Sequence, residues 1–151
     1  SHSAPSYPLR WNTELLPTAW CSMNNSTVAR EWQRYAEQDL ASAEYLLAMK
    51  PKPLEIVCYH CQQSAEKYLK AFLALHGIGI AKTHDLTALN KSCSTNDPAF
   101  SLIAEDCLEL TDYGVQARYP FQLDLTEVDV STAIQCARRI ADFVSARIPQ
   151  P

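Results

Sequence analysis

Apolar residues recur along most of this chain at intervals of three and four positions, which is the period of an amphipathic α-helix. The first such stripe predicts a helix over about 27–49. Ser26 or Thr27 is its expected N-cap, and Pro51 and Pro53 end it because proline cannot continue the hydrogen-bond ladder. The members of the stripe are Trp32, Ala36, Leu40, Ala43 and Leu47.

A second helix is predicted over about 54–76, and a short third helix is expected to begin near Asp85. Gly77 follows the second helix directly, where a left-handed C-terminal cap favours glycine. Thr83 or Asp85 is available to cap the third helix. The stripe of the second helix consists of Cys58, Cys61, Ala65, Leu69, Phe72 and Leu75 or His76.

Asp97 and Pro98 open a fourth helix as its N-cap and first helical residue. Gly114 stands inside its apolar stripe, so a closely approaching neighbour is expected there. Tyr119-Pro120 ends this helix, since the residue before proline disfavours helical dihedrals. Its stripe is Phe100, Ile103, Cys107, Leu110, Gly114 and Ala117. A last helix is predicted over about 129–147, with Val130, Ala133, Ile134, Ala137, Ile140, Ala141, Val144 and Ile148 on its core face.

No alternating strand pattern competes with these helices, and the predicted fold is therefore all-α. We expect an up-and-down four-helix bundle with one additional short helix. Residues 26–149 make up the bundle domain. Residues 1–25 show no sustained periodicity and contain three prolines, which predicts an irregular N-terminal arm.

Length, charge and hydrophobicity argue against several classes of protein. The chain has 151 residues, enough for one domain with a sizeable core. Its net charge of −4 argues against broad binding to nucleic acid, which depends on phosphate neutralisation. No run approaches the roughly 18 apolar residues of a membrane span, and no N-terminal signal segment is visible. A cytoplasmic location is the resulting default expectation.

Six cysteines are present, and four of them fall at apolar positions of predicted helices. This placement favours buried free thiols over disulfides. Cys58 and Cys61 share a helix face with one another but not with His60, and no second ligand pair with metal-like spacing follows. Neither a metal nor another cofactor is expected.

The first candidate for chemistry is the turn Lys82-Thr83-His84-Asp85, because histidine changes charge near neutral pH. Asp85 either orients His84 or caps the next helix. The alternative for the whole turn is that it only ties the loop to the third helix.

The second candidate is Arg118-Tyr119-Pro120 at a predicted helix end. The guanidinium fork of Arg118 suits an anion, and Tyr119 suits stacking on a base. The alternative is that Arg118 only complements the negative end of the helix dipole.

The third candidate is the polar side of the second helix, which carries Gln62, Gln63, Glu66, Lys67 and Lys70. Glu66 and Lys70 are spaced for an ordinary helix salt pair, and Gln63 and Lys67 share a face. A solvated helix face is the simpler interpretation. No Ser-His-Asp or Cys-His grouping and no glycine-rich phosphate loop is present.

Taken in order, these segments resemble a HEPN domain over about residues 28–148. The resemblance implies a compact bundle of four to five helices. It further implies a homodimer, and often a small nucleotidyltransferase as partner in a toxin–antitoxin pair. Many members of the family are metal-independent RNases, and the family was first proposed to bind nucleotides. The matching segments are Ala36-x-x-Asp39-Leu40-x-x-Ala43, Cys61-Gln62-Gln63-x-Ala65-Glu66-Lys67, Lys82-Thr83-His84-Asp85-Leu86 and Ala117-Arg118-Tyr119-Pro120.

One departure weakens the enzyme prediction. The RNase members of the family carry an Arg, then four to six residues, then a His. Arg118 matches the Arg, but residues 122–125 contain no His. The leading prediction is therefore a non-catalytic homodimer that binds a nucleotide or a nucleotidyltransferase. Its candidate binding residues are Arg118, Tyr119, His84, Asp85, Lys82, Lys67 and Gln63. An RNase toxin, acting on RNA, and a pure interaction module are the alternatives.

Overall fold

A computed structural model describes residues 24–116 and 124–150 of the protein. The described residues form helices and no strand, so the predicted all-α fold class is confirmed. The arm predicted for residues 1–25 lies outside them, apart from its last two residues. The elements are α1 (Asn25–Leu46), α2 (Leu54–Leu75), α3 (Leu86–Asn96), a 3-10 helix (Pro98–Ile103), α4 (Ala104–Leu110), α5 (Tyr113–Gln116) and α6 (Glu127–Ser145).

The first helix begins earlier and ends earlier than its apolar stripe predicts. Asn24 is the N-cap, and its side chain accepts a 2.8 Å hydrogen bond from the backbone N–H of Thr27. The predicted caps, Ser26 and Thr27, are therefore wrong, because both residues already lie inside α1. The helix ends at Leu46, and the next residues form a turn before Pro51.

α2 is the central helix of the fold and packs against α1, α3, α4, α5 and α6. Its C-terminus confirms the predicted role of Gly77, which has a φ of 64°. The N–H of Ile78 donates to the carbonyl of Leu73 at 2.9 Å, and the N–H of Gly77 donates to that of Ala74 at 3.1 Å. These are the two bonds of a Schellman cap, which satisfies carbonyls that the helix leaves open.

The segment predicted as one long fourth helix is divided into three pieces. Asp97 is the N-cap as predicted, but a 3-10 helix follows it and α4 begins only at Ala104. A turn at Thr111 and Asp112 then separates α4 from α5. The single helix is therefore a wrong prediction. The apolar spacing was right, because Phe100, Ile103, Cys107 and Leu110 are all buried.

The core is built from large apolar side chains of all the longer helices. Burial of each such side chain stabilises the fold by roughly 1.5–3 kcal/mol. The five described cysteines are buried and free, as predicted. Among the described helices, none is long and apolar enough to cross a membrane. The largest fully buried side chains include Trp32, Leu69, Phe72, Leu73, Leu86, Leu89, Phe100, Leu110 and Ile140.

The last helix is fixed at its start and along its length. Thr126 and Asp129 form a reciprocal capping box at the N-terminus of α6. Further along, Arg139 donates to the carboxylate of Asp106 in α4 through two nitrogens: Nη2 lies 2.7 Å from Oδ1, and Nε lies 3.1 Å from Oδ1 and 3.2 Å from Oδ2. A paired Arg–carboxylate contact of this kind sets the orientation of the two helices.

Candidate functional site

The polar side of α2 is mostly not a solvated face, which corrects the simpler sequence interpretation. Gln62, Glu66 and Lys70 are buried, with relative exposures of 0%, 4% and 5%. Gln63 and Lys67 are only partly exposed. A central helix has neighbours on most sides, so even its polar residues are covered. These side chains must therefore find partners inside the protein.

Glu66 is the centre of one group of buried contacts. Its Oε2 accepts from Nζ of Lys70 at 2.8 Å, and its Oε1 lies 3.0 Å from Nδ1 of His84. The amide of Gln62 also donates to Oε1, at 3.3 Å. The side chain of Glu66 is 5% exposed, whereas that of His84 is 44% exposed. The predicted candidate His84 is thus anchored to the interior by a carboxylate while its ring stays open to solvent.

A second group of contacts joins α1 to α2 through Asp39. Its Oδ1 lies 2.9 Å from Nδ1 of His60, and its Oδ2 accepts from Nζ of Lys67. Lys67 was predicted as a site residue, but its partner Asp39 and the neighbouring His60 were not. A sequence signal for His60 existed, because His60 stands seven positions before Lys67 and therefore shares its helix face.

The contacts around Glu66 and those around Asp39 have the same arrangement. In each, one carboxylate bridges a lysine ammonium and Nδ1 of an imidazole. Because the carboxylate oxygen accepts, Nδ1 carries the proton, and Nε2 has no partner among the described residues. In each group the carboxylate and the ammonium carry opposite charges, so the ion pair is formally neutral.

Two adjacent glutamines connect α2 to the turn that precedes α3. Gln62 donates to the backbone carbonyl of His84 at 3.1 Å and accepts from the amide of Gln63 at 2.7 Å. Gly114 of α5 lies directly against Gln62, since a Cβ there would stand 2.6 Å from Cδ and Oε1 of the amide. This confirms that a close neighbour is the reason for glycine in the fourth stripe.

Asp85 caps α3, which is the second of the two roles considered for it. Its carboxylate accepts from the backbone N–H groups of Thr87 and Ala88 at 2.9 and 3.4 Å. It also accepts from the hydroxyl of Thr111 at 3.2 Å. Thr83, the other candidate cap, instead accepts from the backbone N–H of Asp85. Lys82 is exposed on the same turn and makes no hydrogen bond or ion pair within the described part of the chain.

Arg118 and Tyr119 lie outside the described residues, so their predicted role stays a prediction. Among the described candidates, Gln63 and His84 are connected through Gln62, which bonds to both. Lys67 lies four positions after Gln63 on α2 and contacts Asp39 of α1.

An open groove adjoins this surface on the α1 side. It has a volume of about 500 Å³ and is lined by Ala41, Ser42, Tyr45, Leu46 and His60. Tyr45 is 84% exposed there. His60 belongs both to the groove and to the Asp39 contact, which makes the groove continuous with the polar surface.

The cysteines supply no ready nucleophile to this region. Burial raises the pKa of Cys58 and Cys107 to about 12 and that of Cys136 to about 11. Burial also raises the pKa of Cys61 and Cys93. A nucleophilic cysteine needs a lowered pKa, so the described thiols are structural.

A family model and two solved structures match this chain. The family model for the HEPN domain matches residues 29–147. The crystal structure of an archaeal HEPN homologue, ST0689, superimposes with a TM-score of 0.64 at 30% identity and covers 80% of this chain and 98% of that chain. The crystal structure of TT1696 from Thermus thermophilus gives a TM-score of 0.70 at 24% identity, with coverage of 82% and 98%. A search of curated proteins finds no match.

Proposed function

The chain belongs to the HEPN domain family, and on that premise we propose that it is a non-catalytic homodimer that binds a nucleotide. Its partner would be a small nucleotidyltransferase in a cytoplasmic toxin–antitoxin type system. The supporting observation is that Gln63 and Lys67 on α2 and His84 on the turn before α3 are each held at the surface by a polar partner, namely Gln62, the partly buried Asp39 and the buried Glu66.

The proposed roles follow from the donors that remain open. Lys67 has three N–H donors and uses one on Asp39, so two remain for phosphate oxygens. His84 is held at Nδ1, which leaves Nε2 to donate to an anion once it is protonated. Arg118 and Tyr119 are the further proposed contacts, to phosphate and to base or ribose.

Isothermal titration calorimetry with ATP and GTP tests the proposal. We expect saturable heat for the wild type. Lys67→Ala and His84→Ala should each weaken ATP about tenfold, the loss of one charge-assisted hydrogen bond. Arg118→Ala should weaken it as well.

Matched controls come from the same residue types placed elsewhere. Lys52 forms an exposed ion pair with Glu127, and His76 lies at the end of α2 against Phe72. Lys52→Ala and His76→Ala should bind ATP as the wild type does. Absence of heat above background for wild type and variants alike would refute nucleotide binding, and a dimer that depends on Arg118 would then favour a pure interaction module.

A metal-independent RNase is the second candidate, and one observation favours it. Glu66 holds Nδ1 of His84 while the ring is 44% exposed, an arrangement suited to a general acid or base at Nε2. Expression that arrests growth, relieved by His84→Ala but not by His76→Ala, would support this activity. RNA left intact by the purified protein in EDTA would exclude it.

A further inference from the structure

The amide of Gln62 is a buried polar group of the site that makes three hydrogen bonds. It is 0% exposed. It donates to the backbone carbonyl of His84 and to Glu66, and it accepts from Gln63. One side chain therefore joins α2, the turn before α3 and the carboxylate that holds the His84 ring. No other described side chain forms hydrogen bonds both to a backbone group of that turn and to Glu66.

The position of this amide is set from the opposite side by Gly114. A Cβ at Gly114 would lie 2.6 Å from Cδ and Oε1 and 2.9 Å from Nε2 of Gln62. Real side chains do not tolerate such distances, so the amide and the α5 backbone are in direct contact. The amide has no free volume on the side that faces α5. On the opposite side, its hydrogen bonds to His84 and Glu66 hold it in place.

We propose that Gln62 is a positioning residue of the site, whose amide, pressed between Gly114 and the turn before α3, sets where His84 and Gln63 present themselves to the ligand. The argument for a ligand effect rests on the proposed function, but the positioning of His84 does not. His84 is bound to the protein at two points, its backbone carbonyl and its Nδ1, and Gln62 bonds to the first and to the residue that holds the second.

Two variants disturb this amide in different ways, one by removing it and the other by displacing it. Gln62→Met keeps a similar length and volume but removes all three hydrogen bonds. Gly114→Ala leaves every hydrogen-bonding group in place and displaces the amide, because the added Cβ meets the far end of a side chain rather than the backbone. Gly114→Ala therefore remains informative even where Gln62→Met folds poorly.

Each variant has a control of the same kind. Ser64 is equally buried on α2, and its hydroxyl donates to the carbonyl of Ala36 on α1 at 2.8 Å, a bond that involves neither His84 nor Glu66. Ser64→Ala thus removes a buried hydrogen bond without touching His84. Gly79→Ala adds a Cβ that meets nothing within 4 Å.

The readouts are the imidazole ¹H–¹³C signals of His84 and the dissociation constant for ATP. Gln62→Met and Gly114→Ala should shift the His84 signals and weaken ATP about tenfold, as expected when one buried hydrogen bond to the binding group is lost. Ser64→Ala and Gly79→Ala should leave both readouts at the wild-type values.

The outcomes separate the two proposals. His84 signals and ATP affinity that are unchanged in both site variants would overturn the positioning role and leave nucleotide binding intact. Signals that shift equally in Ser64→Ala would also overturn it, since the effect would then be general loosening. Shifts confined to the two site variants, in a protein that does not bind ATP, would support the positioning role and refute the proposed function.

Discussion

The Nδ1 atom of His84 lies 3.0 Å from Oε1 of Glu66, although 18 positions separate the two residues in the chain. Glu66 is buried in the central helix, and His84 belongs to a surface turn. This contact joins a buried carboxylate of the bundle to an imidazole that is exposed to solvent. It gives the exposed imidazole a defined orientation, which a residue on an unsupported loop would lack.

Glu66→Gln should destabilise the protein by about 3 kcal/mol, because it leaves the buried ammonium of Lys70 without a counter-charge. Urea unfolding followed by circular dichroism measures the change. Glu127→Gln removes one partner of an exposed ion pair with Lys52 and should cost less than about 1 kcal/mol. Equal losses in the two variants would contradict the burial argument.

Asp85→Ala should lower stability by about 1 kcal/mol, the usual effect of losing an N-cap. Asp85→Asn should retain most of the stability, since an amide oxygen also accepts from the N–H groups of Thr87 and Ala88. Thermal unfolding of the two variants compares them directly. If Asp85 instead contacted the ligand through its charge, Asp85→Asn would keep stability and lose ATP binding.

Asp97 should contribute stability that depends on pH. The hydrogen bond from Arg147 lowers the pKa of Asp97 below its ordinary value of 3.8. The folded state therefore binds this proton more weakly than the unfolded state, so the contribution is present above about pH 4 and is lost as the pH falls below it.

Asp97→Asn keeps an oxygen for the cap to Ala99 and removes the charge. The difference in unfolding free energy between wild type and Asp97→Asn should shrink as the pH falls from about 6 to about 3. Chemical denaturation at several pH values measures it. Asp112→Asn, at an exposed position, should run parallel to the wild type, and a constant offset for Asp97→Asn would be the opposing result.

The five described cysteines should resist modification in the native protein. Burial raises the pKa of each, for example that of Cys58 from 9.0 to about 12, so the reactive thiolate is scarce at neutral pH. In a Cys21→Ser background, DTNB at about pH 8 should label these thiols slowly until guanidinium unfolds the chain. Rapid labelling of any of them without denaturant would contradict their burial.

The position of Gly77 and the break at Thr111 show what sequence patterns can and cannot predict. A glycine directly after an apolar stripe indicates a C-cap, because the left-handed conformation is a local property of the chain. The break at Thr111 has a distant cause. Its hydroxyl accepts from the backbone N–H of Leu86 and donates to Asp85, 25 and 26 positions away. No local spacing indicates that contact.

The residues of the candidate site also divide into those that sequence patterns predict and those that they do not. Gln63, Lys67 and His84 were predicted because their residue types and segments are visible in the sequence. Asp39 and His60 were missed, since their pairing joins α1 to α2 across 21 positions. The burial of Glu66 and Lys70 was missed for a related reason, because an i, i+4 pair has the same spacing whether or not other helices cover it.

The sequence by itself therefore determined the all-α class, the apolar faces, the glycine cap at Gly77 and the resemblance to HEPN domains. Each of these depends on periodicity or on the dihedral preferences of single residues. The tertiary structure alone decided which polar groups are buried, which carboxylate holds which imidazole, and that Gly114 admits the amide of Gln62. Those relationships depend on how helices distant in sequence pack together, and a one-dimensional pattern does not contain that information.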